Sequence, residues 1–167
     1  MMGGFPSLAP LEKLATQAYF SNRVQLADVI ERVLDSIGPA SVRVSTFSTS
    51  EEFLRRLARL RGSGRVLRCS LFCDLRAARK TAALYGFIRS VFSEVRLCEN
   101  HSKVVLLRND TRRVAVVTSQ NQTRGDRFEA GIITSDPGVY AALDAGLDLL
   151  AANSLSLDDL VDRHENN

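Results

Sequence analysis

The sequence predicts an α/β fold, a mixed and mostly parallel sheet flanked by helices on both faces. Three observations carry that expectation. Between residues 41 and 98, short strand-like runs take turns with stretches of helical period, the β-α-β-α-β order of right-handed crossovers and a parallel sheet. Beyond residue 98 the apolar runs are joined by short polar connections, so at least one pair of strands turns antiparallel. The chain has 167 residues, 45% hydrophobic and 25% charged, which suits one domain around one core.

Along the chain, Gly3, Gly4 and Pro6 make a loose start before a short helical stretch near Leu11–Phe20. From Asn22 to Ile37 the residues Val24, Ala27, Val29, Ile30, Val33, Leu34 and Ile37 recur with a helical period. Ser21 or Asn22 is the expected cap, and Gly38-Pro39 the stop. Ser41–Phe47 alternates as a strand. Ser50, followed by Glu51 and Glu52 at the positive end, opens the next helix, whose apolar stripe is Phe53, Leu54, Leu57 and Leu60.

Gly62-Ser63-Gly64 makes a turn into a strand at Val66–Cys73, and Ala77–Phe92 reads as the second crossover helix. Strands are expected at Glu94–Cys98, Ser102–Leu107, Val114–Ser119 and Ala130–Thr134. Asp136-Pro137 starts a closing helix through Ala152. The expected organisation is an N-terminal segment over 1–20, the domain over 21–153, and a peripheral acidic tail over 154–167.

The net charge of +3 is unevenly spread. From Arg55 to Lys80 eight arginines and one lysine face only Asp74, whereas acids dominate from Asp144 onward. So dense a basic segment attracts a polyanion, although charge alone does not separate a nucleic-acid surface from a solvated helix face. Cys69, Cys73 and Cys98 lie in apolar runs and match no zinc spacing, so buried reduced thiols are expected, with no metal or other cofactor. No apolar run reaches the roughly 20 residues of a membrane span, and residues 1–10 carry no secretory pattern. The expectation is a cytoplasmic protein without membrane contact.

The chemistry-bearing residues cluster late in the chain. His101-Ser102-Lys103 opens one strand and Ser119-Gln120-Asn121 closes another, and residues two apart on a strand share a face. Glu129 enters after a polar loop, on what should be the adjacent strand. A neutral imidazole can attack phosphorus, Lys103, Asn121 and Ser119 suit the non-bridging oxygens, and a carboxylate such as Glu129 can fix the tautomer of the ring. Lysine occurs only at Lys13, Lys80 and Lys103 in a chain that uses arginine elsewhere, so the compact ammonium at 103 is a specific choice.

In their order, spacing and strand context, His101-x-Lys103, Ser119-x-Asn121 and Glu129 resemble the phospholipase D superfamily. The resemblance covers roughly residues 24–150. Two departures accompany it. Asp110 lies beyond the place where the family has an acid after its lysine, and Thr118 stands where a glycine often precedes the serine, an expected narrowing of the phosphate approach.

The resemblance implies a phosphodiesterase that works through a phosphohistidine, with a second histidine protonating the leaving oxygen. The remaining histidine, His164, sits in no such motif, so a homodimer that places two copies of His101 face to face is implied. The expected activity is metal-independent endonucleolytic cleavage of DNA, with RNA as the second expected substrate. Arg55, Arg56, Arg59, Arg124 and Arg127 are the candidate nucleic-acid contacts. The alternatives are a catalytically weak nucleic-acid-binding or dimerisation module of the same fold, or a phospholipid phosphodiesterase.

Overall fold

In the computed structural model, which describes residues 8–122 and 126–165, β-branched and leucine-rich runs line up as one sheet covered on both faces. The elements are β1 (Thr16–Ser21), α1 (Leu26–Ile37), β2 (Ala40–Thr46), α2 (Glu51–Gly62), β3 (Val66–Asp74), α3 (Ala78–Ala83), α4 (Tyr85–Val91) and β4 (Glu94–Cys98). They continue with β5 (Val104–Arg108), β6 (Arg113–Thr118), β7 (Glu129–Thr134), α5 (Pro137–Ala152), β8 (Leu155–Ser156) and α6 (Leu157–Glu165). The strand order is β1-β7-β6-β5-β2-β3-β4-β8.

The α/β class with helices on both faces stands, but the sheet is mostly antiparallel, not mostly parallel. Only the crossover-linked pairs β2–β3 and β3–β4 are parallel among the described strands. The pairs β1–β7, β7–β6, β6–β5, β5–β2 and β4–β8 all run antiparallel. The physical reason is connection length: the four-residue link between β5 and β6 permits a hairpin and no crossover.

One face of the sheet buries Val29, Ile30, Val33 and Leu34 of α1 with Phe53, Leu54, Leu57 and Leu60 of α2 against Val42, Val44, Leu71, Val105 and Val116. The other face packs Tyr140 and Leu147 of α5 on Phe72, Val104, Leu106 and Ala115. Helix α5 is held there by charge as well. Arg43 of β2 pairs with Asp144 and, at 2.9 Å, with Asp148, while its guanidinium lies 5.3 Å from the Phe72 ring. Among the described residues no helix is long and apolar enough to cross a membrane.

Several local expectations change. Residues 16–21 are the edge strand β1 and not part of a helix: the Leu11, Leu14 and Ala18 spacing mimics a helical stripe, yet Leu14 and Ala18 are exposed, and pairing with β7 decides the conformation. Helix α1 is capped by Gln25 and Asp28 and not by Ser21 or Asn22, while Gly38 ends it at a positive φ of 81°. The second crossover breaks at Leu84 into α3 and α4. The stretch read as an acidic tail adds β8 to the sheet beside β4 and buries Leu157.

The β1–β7 pair has a tight steric condition. The Tyr19 ring lies across Gly131, where an added Cβ would stand 2.5 Å from the ring carbons. Gly131→Ala should therefore destabilise by about 1–3 kcal/mol in urea denaturation, as overpacked sites do. Gly86→Ala, in open space on α4, should be neutral or slightly stabilising.

Candidate active site

The ends of β2 and β3, the start of β5 and the end of β6 meet at one edge of the sheet. There the segment 100–103 is fixed on both sides of an exposed histidine. Asn100 is buried, and its Nδ2 donates to Ser45 Oγ at 2.8 Å and to the Phe72 carbonyl at 3.2 Å. Its Oδ1 accepts from Ser102 N at 2.9 Å and from Ser102 Oγ at 2.7 Å, an Asx turn that turns His101 outward. The Asn100 N–H donates to Asp74 Oδ2 at 2.9 Å.

Asp74 is 1% exposed, and Arg76 grips it through Nε at 2.8 Å and Nη2 at 3.2 Å. That guanidinium, helped by the Asn100 and Arg76 N–H groups, holds the carboxyl well below the usual carboxylate range against the opposing effect of burial. Arg76 also lies 5.3 Å from the Phe47 ring, and Phe47 meets the His101 ring edge-on at 5.6 Å. One buried carboxylate thus steadies the segment before His101 through the Asn100 N–H and braces the His101 ring through Arg76 and Phe47. Lys103 Nζ donates to the His101 carbonyl at 2.9 Å and lies 3.2 Å from its Nδ1.

The second half of the site comes from alternation. Thr118 and Gln120 turn into the protein, where Tyr19 donates to Gln120 Oε1 at 2.6 Å and meets Thr118 Oγ1 at 2.8 Å. Gln120 Nε2 donates to the Val24 carbonyl. Burial pushes the Tyr19 phenol up, the Thr118 bond opposes this, and the nearby charge of Glu129 adds to it, so the phenol stays a donor. With 118 and 120 anchored inward, Ser119 and Asn121 are left on the cleft. Ser50 Oγ holds the Gln122 carbonyl at 2.7 Å and caps α2, which fixes the far end of this loop.

A polar cleft of about 390 Å³ is lined by His101, Lys103, Ser119, Asn121 and Glu129 together with Gln25, Gln120, Arg127 and Phe128. The five candidate residues therefore converge, from loops just outside β5 and β6 and from the first residue of β7. Glu129 does not hold the His101 ring. Its carboxylate accepts from Ser119 Oγ, because the Ser119 N–H bond to the Ala130 carbonyl makes the two cross-strand neighbours while His101 sits one strand further. Thr118 is buried and does not line the cleft, and Asp110 lies in the β5–β6 turn at the other end of the strands.

The basic residues divide. Arg127 lines the cleft. On α2, Arg56 is tied to Asp28 at 2.6 Å and Glu31 at 2.9 Å on α1, and Arg55 pairs with Glu51. Arg59 makes no ion pair among the described residues, and none of these three lines the cleft. Arg124 lies outside the described residues. The sequence reading missed Asn100, Phe47, Tyr19 and Gln120. Asp74 did carry a signal, as the lone acid closing an apolar strand inside a basic run.

No family model matches the sequence, and no curated protein matches it either. Solved structures do. The chain superposes on a phospholipase D family member, Nuc from Salmonella typhimurium, with TM-score 0.66 and 19% identity, over 84% of this chain and 96% of that one. NucT from Helicobacter pylori matches with TM-score 0.63 and 13% identity, over 84% and 99%. Phosphatidylserine synthase from Haemophilus influenzae matches with TM-score 0.57 and 18% identity, over 84% of this chain and 39% of its own. The chain has the phospholipase D fold.

Asn100→Ala should cost about 1–3 kcal/mol in urea denaturation by stranding buried partners. Asp74 has a folded pKa depressed below its unfolded value, so its stabilisation is present above about pH 4 and is lost as pH falls toward the folded value. Asp74→Asn should accordingly be less stable at neutral pH and lose less stability on acidification, as read by urea midpoints against pH.

Proposed function

We propose that the chain is a metal-independent phosphodiesterase acting on nucleic acid, with His101 as nucleophile. The observation that carries this reading is the convergence of His101, Lys103, Ser119 and Asn121 on one polar cleft. Substrate draws the Lys103 ammonium from the imidazole to a non-bridging phosphate oxygen. Nδ1 then carries the ring proton and Nε2 presents its lone pair to phosphorus. As the N–P bond forms, the bond to the leaving oxygen breaks, and that oxygen takes a proton from the partner's His101. Water then attacks phosphorus, the N–P bond breaks, and the proton that water gives up returns to the histidine that acted as acid.

Lys103, the Asn121 amide and the Ser119 hydroxyl bind the charge that builds on the phosphoryl oxygens. Glu129 acts through Ser119, directing that hydroxyl and balancing the cleft's cations. Each chain supplies one histidine motif, so the active unit is a homodimer with a shared site. Arg127 in the cleft is the candidate basic side chain best placed to meet a further phosphate, whereas Arg56 is committed to joining α1 and α2.

The test is cleavage of plasmid and oligonucleotide DNA by purified protein, with and without EDTA. Wild type should cleave in both conditions, and His101→Ala should lose turnover while still binding DNA. Lys103→Ala should lose on the order of 10²–10³ in rate, the usual worth of one such contact. Retained cleavage by His101→Ala, or activity that vanishes in EDTA and returns with magnesium, would contradict the proposal.

A further inference from the structure

An aromatic pair stands at the lip of the cleft and, among the described residues, belongs to neither core cluster. Phe20 of β1 is 73% exposed and Phe128, just before β7, is 65% exposed. Their rings stack with centroids 5.6 Å apart and 24° between planes. The Phe20↔Ala130 register holds the base of the pair against β7, and Phe128 itself lines the cleft beside Arg127 and Glu129. The stacked rings still leave most of their surface to solvent, and exposed apolar surface beside a cleft commonly marks a binding site.

We infer that Phe128, backed by Phe20, is a stacking platform for an unpaired nucleobase next to the phosphate in the cleft, so that single-stranded nucleic acid is the preferred substrate class. The inference rests on the nucleic-acid reading above. Its occupant follows from the surroundings. The platform opens into a cleft that carries His101, Lys103 and Arg127, which suits a polyanion that brings flat rings with it. A base stacks on such a ring without regard to sequence, since every base has a π face. A duplex keeps its bases paired and stacked internally, and reaching the platform would require one to be expelled.

Three variants of the full chain decide the matter, namely His101→Ala alone and combined with Phe128→Ala or Phe128→Trp. Each is titrated into a single-stranded oligonucleotide carrying 2-aminopurine and into its duplex, with light scattering on every variant. Stacking should change the 2-aminopurine fluorescence of the single strand. Phe128→Ala should abolish that change and weaken single-strand binding about tenfold, within the range for one lost base stack, and Phe128→Trp should restore both.

With His101 intact, Phe128→Ala should lower the kcat/KM ratio of single-stranded oligonucleotide to bis(p-nitrophenyl) phosphate by a similar factor. Unchanged single-strand affinity in Phe128→Ala would overturn the inference. So would equal losses for single strand and duplex, or a shift to monomer that assigns the pair to a contact between copies. The titration needs no turnover, so a wild type that cleaves neither substrate yet stacks the base refutes the catalytic reading and leaves the platform standing.

Discussion

Everything at the site depends on keeping one exposed histidine rigid, and the burial of Asp74 and Asn100 beneath it is how the fold does so. An exposed side chain has no packing of its own to select a rotamer. Here the residues before and after His101 are tied instead: Asn100 to the ends of β2 and β3, and Ser102 to the Asn100 carboxamide. A buried carboxylate with no partner would be costly, and Arg76, two residues on, removes that cost while its guanidinium braces Phe47 against the imidazole. The arrangement joins three strand ends that are distant in sequence, so it forms only when the sheet has closed.

The opposite wall of the cleft depends on the same sheet through a different device. Strand alternation would allow Ser119 and Asn121 to face either way. The Tyr19 phenol chooses by engaging Thr118 and Gln120 from below. Tyr19 belongs to the edge strand β1 and reaches that position only because Gly131 has no side chain to block its ring. The N-terminal segment therefore helps to present Ser119 and Asn121 to the cleft, and since Leu8, Leu11 and Tyr19 also belong to the core its loss would be felt in both.

The sequence made the middle of the fold legible. Both crossovers, the Ser50 and Asp136 caps and most strand positions follow from period and capping chemistry, because these signals are local. The strand β1 was hidden, since its conformation is imposed by β7 and its own spacing imitates a helix. Sheet polarity was misjudged because two parallel crossovers weigh heavily in the pattern, whereas the hairpins that outnumber them are marked only by short polar links. Of the residues lining the cleft, His101, Lys103, Ser119, Asn121, Arg127 and Glu129 were readable from their types and order, whereas Gln25, Gln120 and Phe128 were not. Their supports were not: Asn100 and Tyr19 act through partners dozens of residues away, and the link between Glu129 and Ser119 depends on cross-strand register that no spacing rule supplies.

In the proposed mechanism His101 is the residue that takes the phosphoryl group. The direct measurement is to quench wild-type protein with alkali during turnover of a phosphodiester substrate and map the phosphorylated peptide. The account predicts an acid-labile, alkali-stable adduct on His101. Steady turnover with no adduct under conditions that preserve phosphohistidine, or an adduct on any other residue, would contradict it.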